Sequence, residues 1–493
     1  MNSQSPHSGV SAHFPREMRR AKAISLSLAL VAISAISDIA QAVTMPSQMI
    51  VRMGRGSNIG NVLEGTGFPT IPSYYFDDLQ TMGYTSVRLP VGWSSHASTT
   101  APYTIDPNWL SNVKSSVDTA LAHGFVTVIN AHRETLNGTN YNTEITRFQA
   151  IWTQIASYFQ SEPEDLVFEI FNEPNPDSGW SSAQVNDLNS RILSIIRATN
   201  PTRIVKLAVP TWNRFDSLHL LTPPSDPYLL AEVHYYDPGS FVFNDSASGT
   251  VFWGSASDKA TVASNFATMV TWSKQSHIPV IVGEFGAENP HADRSSLLQY
   301  YATVAQDAIG SGLAFTVWDD GGWFKILNRN GSHTWDTGLL ASVMTPSSLL
   351  HFETESLSVA AQTSGITERV GTDVRFSGSA GTFLDSTAAN QFVTYTVPNI
   401  AAGTYDVRVG MKKLNTRGMW QLAISRMDSQ NSPTNLGSPV DEYASVETFA
   451  EVDMGNWSPG STSDKAFKFT VTGKNASSTG YSLSFDYIRL IPQ

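Results

Sequence analysis

The sequence contains no cysteine. Disulfide scaffolding, thiolate catalysis and cysteine-ligated metals are therefore excluded, and a chain of 493 residues has to hold itself together by burying a core. Charge is also sparse, with 15% charged against 41% hydrophobic residues, the balance of a globular chain and not of a disordered one. Basic residues are the minority, 31 Lys and Arg against 43 Asp and Glu, for a formal charge of −12. Such a surface repels nucleic acid and anionic lipid, and no lysine or arginine stripe overrides it, so neutral ligands suit it better. The apolar run Ala23–Ser37 falls short of the roughly 20 residues that a membrane-spanning helix needs. Several catalytic signatures are missing: no G-x-S-x-G elbow, no H-E-x-x-H and no H-x-H pair. Gly54 to Gly60 imitates a dinucleotide fingerprint, but its last glycine comes one residue late and the next acid, Glu64, is too near. No cofactor is expected for catalysis.

What is present begins with an export signal. Arg19, Arg20 and Lys22 precede the apolar run, and Ala40-Gln41-Ala42 follows it as an A-x-A cleavage pattern, so residues 1–42 read as a signal peptide, with Met18 as a second plausible start. Its removal takes away four cations (Arg16, Arg19, Arg20, Lys22) and two anions (Glu17, Asp38), moving the formal charge from −12 to −14. The mature chain is expected to be secreted, extracellular or periplasmic, with no membrane attachment, and to act as a monomer.

From about residue 50 to 345, short β-branched runs alternate with longer amphipathic stretches, the pattern of repeated βα units around a parallel sheet. The runs are Arg55–Gly60, Thr85–Val91, Phe125–His132, Leu166–Glu173, Arg203–Pro210, Tyr228–Tyr236, Pro279–Phe285 and Leu313–Trp318. Intervening segments such as Trp109–His123 and Val185–Thr199 space apolar residues as helices packed outside the sheet do. The expectation is an α/β fold, a (β/α)8 TIM barrel over 43–345. After Met344 the pattern turns to period-two alternation, as in Phe392–Val397, Tyr405–Val409, Lys465–Val471 and Tyr481–Tyr487. A short linker over 346–350 then leads to an all-β, jelly-roll-like sandwich over 351–493.

Most barrel runs end in polar or aromatic residues: Arg88, His132, Asn172 and Glu173, His234 and Tyr236, Glu284, Trp318. In a (β/α)8 barrel the carboxyl ends of the strands form the active-site face, so residues scattered in sequence converge there. Glu173 ends strand four and Glu284 ends strand seven, facing each other across the mouth. Hydrolysing a glycosidic bond needs one carboxyl group that carries a proton and one that is ionised, and two glutamates in unlike surroundings supply both. Arg88 and the Tyr236 hydroxyl are placed to hold Glu284 ionised, Asn172 to hold a sugar hydroxyl, and His132 and His234 to orient the set.

These residues resemble glycoside hydrolase family 5, the cellulase-like retaining enzymes. The resemblance spans residues 50–345 and rests on Gly54 to Glu64, Val87 to Val91, Asn130 to His132, Phe168 to Pro174, His234 to Tyr236 and Val282 to Gly286. It implies Glu173 as acid/base, Glu284 as nucleophile and substrate-binding roles for Arg88, His132, Asn172, His234, Tyr236 and Trp318. One departure is Arg133, where similar endoglucanases often carry a second histidine. The implied activity is a retaining endo-β-1,4-glucanase acting on a polysaccharide, with mannan, xyloglucan or xylan as alternative substrates. A non-catalytic polysaccharide-binding protein is the remote alternative, against which both glutamates argue. Trp93, Trp212, Trp253, Trp318 and Trp323 are candidate sugar-stacking rings, Trp318 foremost; the other four are as readily core. The C-terminal segment resembles galactose-binding-like carbohydrate-binding modules, which implies a structural calcium with Glu353, Glu355 and Asp486 as oxygen ligands. Its own tryptophans, Trp420 and Trp457, are as readily core as sugar-facing.

Overall fold

The computed structural model describes residues 43–244, 249–288, 290–329, 332–427 and 433–493. The leader and its cleavage pattern lie outside the described residues. Eight parallel strands close into a barrel: β1 (Arg55–Asn58), β2 (Ser86–Leu89), β3 (Val126–Asn130), β4 (Leu166–Glu169), β5 (Val205–Leu207), β6 (Leu229–Tyr235), β7 (Val280–Phe285) and β8 (Ala314–Val317). All eight expected runs are strands. Each expected run extends past its strand, because residues such as Asn172 and Glu173 have already left the sheet for the loops at the mouth. The flanking helices form where expected, Pro107–Ala122 and Ser182–Arg197. Asp106 caps the first by accepting from the Asn108 N–H, and Ser181 with Gln184 forms a capping box on the second. Their buried faces, Trp109, Val113 and Val117 on one and Val185, Leu188 and Ile192 on the other, seal the outside of the barrel.

Inside the barrel, alternation along each strand stacks residues in layers. The lowest layer is apolar: Val126, Val128, Val167, Ile204, Leu230, Ile281 and Ala314 meet Met49, Ile50 and Met53 of the helix Pro46–Met53, which plugs the floor. At about 1.5–3 kcal/mol per buried aliphatic side chain, this plug is a large share of what holds the floor closed. The next layer up is charged, with Arg88, Glu169, Lys206 and Glu232 all fully buried. Between β6 and β7 the register shifts, so that Val233 pairs with Val282 but His234 with Glu284, leaving Gly283 as an extra, bulged residue. The bulge turns Glu284 inward, where strict alternation from Ile281 would have turned it out.

The second part of the chain is a sandwich of two five-stranded sheets with a further three-stranded sheet. One sheet contains Leu350–Glu353, Tyr405–Lys413, Thr448–Trp457 and Tyr487–Pro492; the other contains Ser358–Gln362, Phe392–Ile400, Met419–Arg426, Thr434–Asp441 and Ser463–Gly473. Tyr395, Trp420, Phe469 and Phe485 fill the space between. No described helix is long and apolar enough to cross a membrane.

The two parts share an unexpected piece of chain. Val43–Thr44 adds a parallel edge strand to the first sandwich sheet, pairing with Thr448 and Phe449, and runs directly into the floor helix. Two residues carry no periodicity, which is why the sequence does not announce this strand. Gln48 on that helix donates its amide to the buried Asp486 carboxylate of the sandwich, and Lys274 pairs with Asp406 at 2.9 Å. Thr44 binds Glu164 of the barrel through both its N–H and its hydroxyl. The sandwich therefore sits on the barrel floor, at the end opposite the strand carboxyl termini. Ending the chain at Thr345 strips Gln48, Lys274 and the Val43–Thr44 strand of these partners. At about 0.5–1.5 kcal/mol net for each hydrogen bond exchanged for water, the thermal midpoint should fall by roughly 5 °C in calorimetry. An unchanged midpoint would mean the contacts stabilise nothing.

Candidate active site

The strand ends deliver the expected residues to one place. A cavity of about 520 Å³ at the mouth is lined by His132, Asn172, Glu173, His234, Tyr236, Glu284 and Trp318, joined by Trp212, Phe243 and Phe324. Arg88 lies beneath its floor, fully buried. Of the eight residues named from sequence, seven line the cavity and the eighth supports them from below.

Arg88 is the centre of the support. Its Nε donates to Glu169 Oε2 at 2.8 Å, Nη1 to Asn58 Oδ1 at 2.9 Å and to Glu284 Oε1 at 2.6 Å, Nη2 to Glu169 Oε1 at 2.6 Å and to Asn172 Oδ1 at 2.8 Å. Every guanidinium N–H is used, and a planar fork is the group that can do this. Burial alone would raise Glu169, but Arg88 and Lys206 outweigh it and hold its carboxyl well below the usual carboxylate range. Lys206 bridges Glu169, at 2.8 Å, and Glu232.

The two mouth glutamates differ in surroundings. Glu284 is nearly enclosed, its side chain 6% exposed, whereas that of Glu173 is 28% exposed. Burial pushes the Glu284 carboxyl upward and the nearby Glu173 adds to the rise, while His234, Arg88 and the Tyr236 hydroxyl, which donates to Oε2 at 2.9 Å, pull it back. Glu173 sits between Asn172 and Pro174 with φ at +46°, a left-handed backbone that a non-glycine residue holds at a cost of about 1–3 kcal/mol. His234 Nδ1 lies 2.7 Å from Glu173 Oε1 and 3.5 Å from Glu284 Oε2, and one atom from each of the three residues falls within 4.8 Å of the others. Burial lowers His234, but Glu284, Glu173 and Glu232 together overcome this and push it up to about 10, so the ring is an imidazolium. His132 behaves oppositely: burial, then Arg88, hold it well below its ordinary value, and the Asn130 amide donates to its Nδ1, which leaves Nε2–H as the donor.

Among the aromatic candidates, Trp212 and Trp318 line the cavity, Trp318 with its ring parallel to His132 at 6.0 Å. Trp323 is exposed. Trp93 and Trp253 are core residues and not sugar platforms: Trp93 is fully buried with its Nε1 bonded to the Asn130 carbonyl, and Trp253 packs on Phe241 and Tyr300. Trp420 is likewise core, and Trp457 is half-buried against Tyr405 and Phe467. Arg133 turns away from the glutamates to bond Asn61 Oδ1 at 2.8 Å. Glu169, Lys206 and Glu232 were not recognised from sequence. In the sandwich, Glu353 Oε1 and Asp486 Oδ1 both accept from Ser377, through its hydroxyl at 2.7 Å and its N–H at 3.0 Å. A Cβ on the adjacent Gly378 would lie 3.6 Å from both Glu353 Oε1 and Glu355 Oε1.

Comparison with known proteins agrees with this geometry. The family model described as cellulase (glycosyl hydrolase family 5) matches residues 59–321. Endoglucanase H of Acetivibrio thermocellus is 42% identical over 311 residues, 61% of this chain; this chain spans 34% of that relative's length. A solved hyperthermophilic endo-β-1,4-glucanase in complex with substrate has a TM-score of 0.58 and 31% identity, covering 61% of this chain and 100% of that one. Thermotoga maritima Cel5A in complex with mannotriose has a TM-score of 0.57 and 28% identity over the same shares.

Because Lys206 is the cation shared by two buried carboxylates, replacing it leaves Glu232 under-compensated in a fully buried layer. Lys206→Met is expected to lower unfolding free energy in urea by about 3–5 kcal/mol, the cost of breaking a buried pair from one side. A loss below about 1 kcal/mol would show that the layer is not the structural element described here.

Proposed function

The chain belongs to the cellulase family, glycoside hydrolase family 5, and from that premise we propose that it is a retaining endo-β-1,4-glucanase with Glu173 as acid/base and Glu284 as nucleophile. The observation that carries the reading is the spacing of these carboxylates, with an oxygen of each within 4.8 Å. So close an approach of one oxygen from each fits the roughly 5–5.5 Å carboxyl spacing of a double displacement better than the about 6.5–9.5 Å of inversion. The more enclosed Glu284, held by Arg88 and Tyr236, attacks the anomeric carbon, while the more accessible Glu173 gives its proton to the departing glycosidic oxygen. A glycosyl ester on Glu284 results. Glu173, now a carboxylate, takes a proton from water as that water attacks the same carbon, and Glu284 leaves with its electron pair. With Arg88, Lys206 and His234 positive and Glu169, Glu232 and Glu284 negative, the site is electroneutral while Glu173 carries its proton. Arg88 fixes the carbonyl end of the Asn172 amide, so its NH2 remains for a sugar hydroxyl, and Trp318 and Trp212 offer faces to the C–H surface of pyranose rings. β-1,4-Glucan is the favoured substrate because the relatives named above are endoglucanases; the mannotriose complex of Cel5A makes β-mannan the comparison substrate.

Export through the 1–42 leader and action as a monomer belong to the same reading. We read the sandwich as a carbohydrate-binding module with a structural calcium on Glu353, Glu355 and Asp486. Two oxygens, Glu353 Oε2 and Glu355 Oε2, are buried without a partner, and the charges of both glutamates help to push the Asp486 carboxyl up, an acidic surrounding that suits a hard cation. Catalysis needs no metal in this scheme. Chelation with EDTA should lower the thermal midpoint and added Ca²⁺ restore it, whereas Glu353→Ala should remove the response; a midpoint indifferent to both contradicts the calcium assignment.

The catalytic roles are separable by substitution. Glu284→Ala and Glu173→Ala should each lose at least about 100-fold in kcat on a soluble β-1,4-glucan. Only Glu173→Ala should release dinitrophenolate from a dinitrophenyl cellobioside in a fast first step, since that leaving group needs no proton, and then stall as the glycosyl-enzyme until azide removes the sugar as a β-glycosyl azide. The α-azide from Glu173→Ala, or equal behaviour of both variants, would overturn the assignment.

A further inference from the structure

We propose that Glu232, which no motif or resemblance singles out, is a positioning residue for the proposed acid/base. Its buried carboxylate, on the far side of His234 from Glu173, keeps that ring doubly protonated and fixes the direction in which Nδ1 donates. The proposal rests on the roles given to Glu173 and Glu284 above.

Glu232 is fully buried on β6, two residues before His234, so both side chains point into the barrel, one layer apart. A buried carboxylate has to be paired. One oxygen, Oε2, pairs with Lys206. The other, Oε1, has two cations near it: Arg88 Nε at 3.9 Å and His234 Nε2 at 3.3 Å. Arg88 has committed all its N–H groups elsewhere, its Nε to Glu169. His234 Nε2 is itself buried with no well-aligned hydrogen bond. The two atoms left over are therefore each other's partner. An imidazole that gives Nδ1–H to Glu173 and Nε2–H to Glu232 carries two protons and is positive.

The backbone is built around this contact. A Cβ at residue 283 would stand 1.4 Å from Glu232 Oε1, so only glycine there admits the carboxylate. Gly283 is also the bulged residue that turns Glu284 inward. One glycine thus both aims the proposed nucleophile and opens the space beneath His234.

The other charged groups facing His234 are Glu173, Glu284 and Glu169, with Arg88 and the neutral His132 beyond them and the Tyr236 hydroxyl on Glu284. Arg214, whose backbone bridges to His234, directs its guanidinium to Asp216 and Asp237. Glu232 is the anion at Nε2.

Glu232→Gln keeps the shape and can still accept from Lys206, but it removes the charge. Imidazole ¹⁵N NMR, with the His234 signals assigned by their loss in His234→Gln, should show wild-type His234 as an imidazolium beyond pH 9. In Glu232→Gln its proton affinity should fall about 1000-fold, the upper range for one close charge at a buried site and enough to leave the ring mostly neutral at pH 8. Because protons restore the imidazolium in acid, kcat of Glu232→Gln on soluble β-1,4-glucan should lie within about threefold of wild type at pH 5. At pH 8 it should be about tenfold or more lower, with KM within about twofold at both. If Glu232→Gln does not fold, Lys206→Met/Glu232→Gln removes both charges and carries the same expectations. An unchanged His234 titration, or a kcat deficit equal at pH 5 and pH 8, overturns the proposal. The NMR result is independent of the catalytic roles: if His234 titrates as expected but Glu173→Ala and Glu284→Ala behave alike, the positioning stands and the functional reading falls.

Discussion

Arg88 lies in the interior of the barrel with no exposed surface, and the rest of the site follows from the need to compensate it. A guanidinium out of water is tolerable only when its hydrogens are matched, and here they are, by two glutamates and two asparagines drawn from four different segments. Each match constrains a strand. Asn58 fixes β1, Glu169 fixes β4, Asn172 fixes the loop after β4, and Glu284 fixes β7 at a bulge. Shifting any of these strands by one residue would move a partner to the outer face and leave a charge bare. The layer thus specifies register, whatever it contributes net to stability, which comes from the apolar plug below it and the helix faces around it.

From that frame the two mouth glutamates acquire their unlike surroundings. Glu284 stands on the frame, touching Arg88 directly and Tyr236 beside it, with little solvent. Glu173 stands off it, on a strained left-handed residue at the loop, its carboxyl group meeting His234. The imidazolium lies between them and within reach of both, so the charge that supports one carboxylate also reports on the other. Such coupling suits a reaction in which one carboxyl group must give up a proton while its neighbour gains a covalent bond, since the site's total charge then changes little at either step.

Much of this was legible from residues alone. Eight β-branched runs and their polar ends located the barrel and its mouth, because a parallel strand buried on both faces must be apolar until it emerges. Less legible were Glu169, Lys206 and Glu232. Their signal lies in the alternation: Val87-Arg88-Leu89, Phe168-Glu169-Ile170, Val205-Lys206-Leu207 and Ala231-Glu232-Val233 each place one charge of a barrel strand between apolar neighbours. Read singly, each looks like an ordinary polar interruption; only the closed barrel shows that the four meet. The strand Val43–Thr44 is illegible for a different reason, since its partners Thr448 and Phe449 lie at the far end of the chain in the sandwich and a two-residue strand has no period. Trp93 and Trp253, open between core and mouth in the sequence, are core, because an aromatic at a strand end faces either the mouth or the surrounding helices, and sequence spacing does not say which.

The central claim is that Glu284, held on the Arg88 frame, forms the covalent bond. A 2-deoxy-2-fluoro cellobioside with a dinitrophenyl leaving group slows both steps, but the leaving group rescues the first, so a glycosyl-enzyme should accumulate. Peptide mass spectrometry of the inactivated protein is predicted to find one fluoroglycosyl ester, on Glu284, and to find none in Glu284→Ala. An ester on Glu173, or turnover of the reagent with no ester on any residue, would contradict the account.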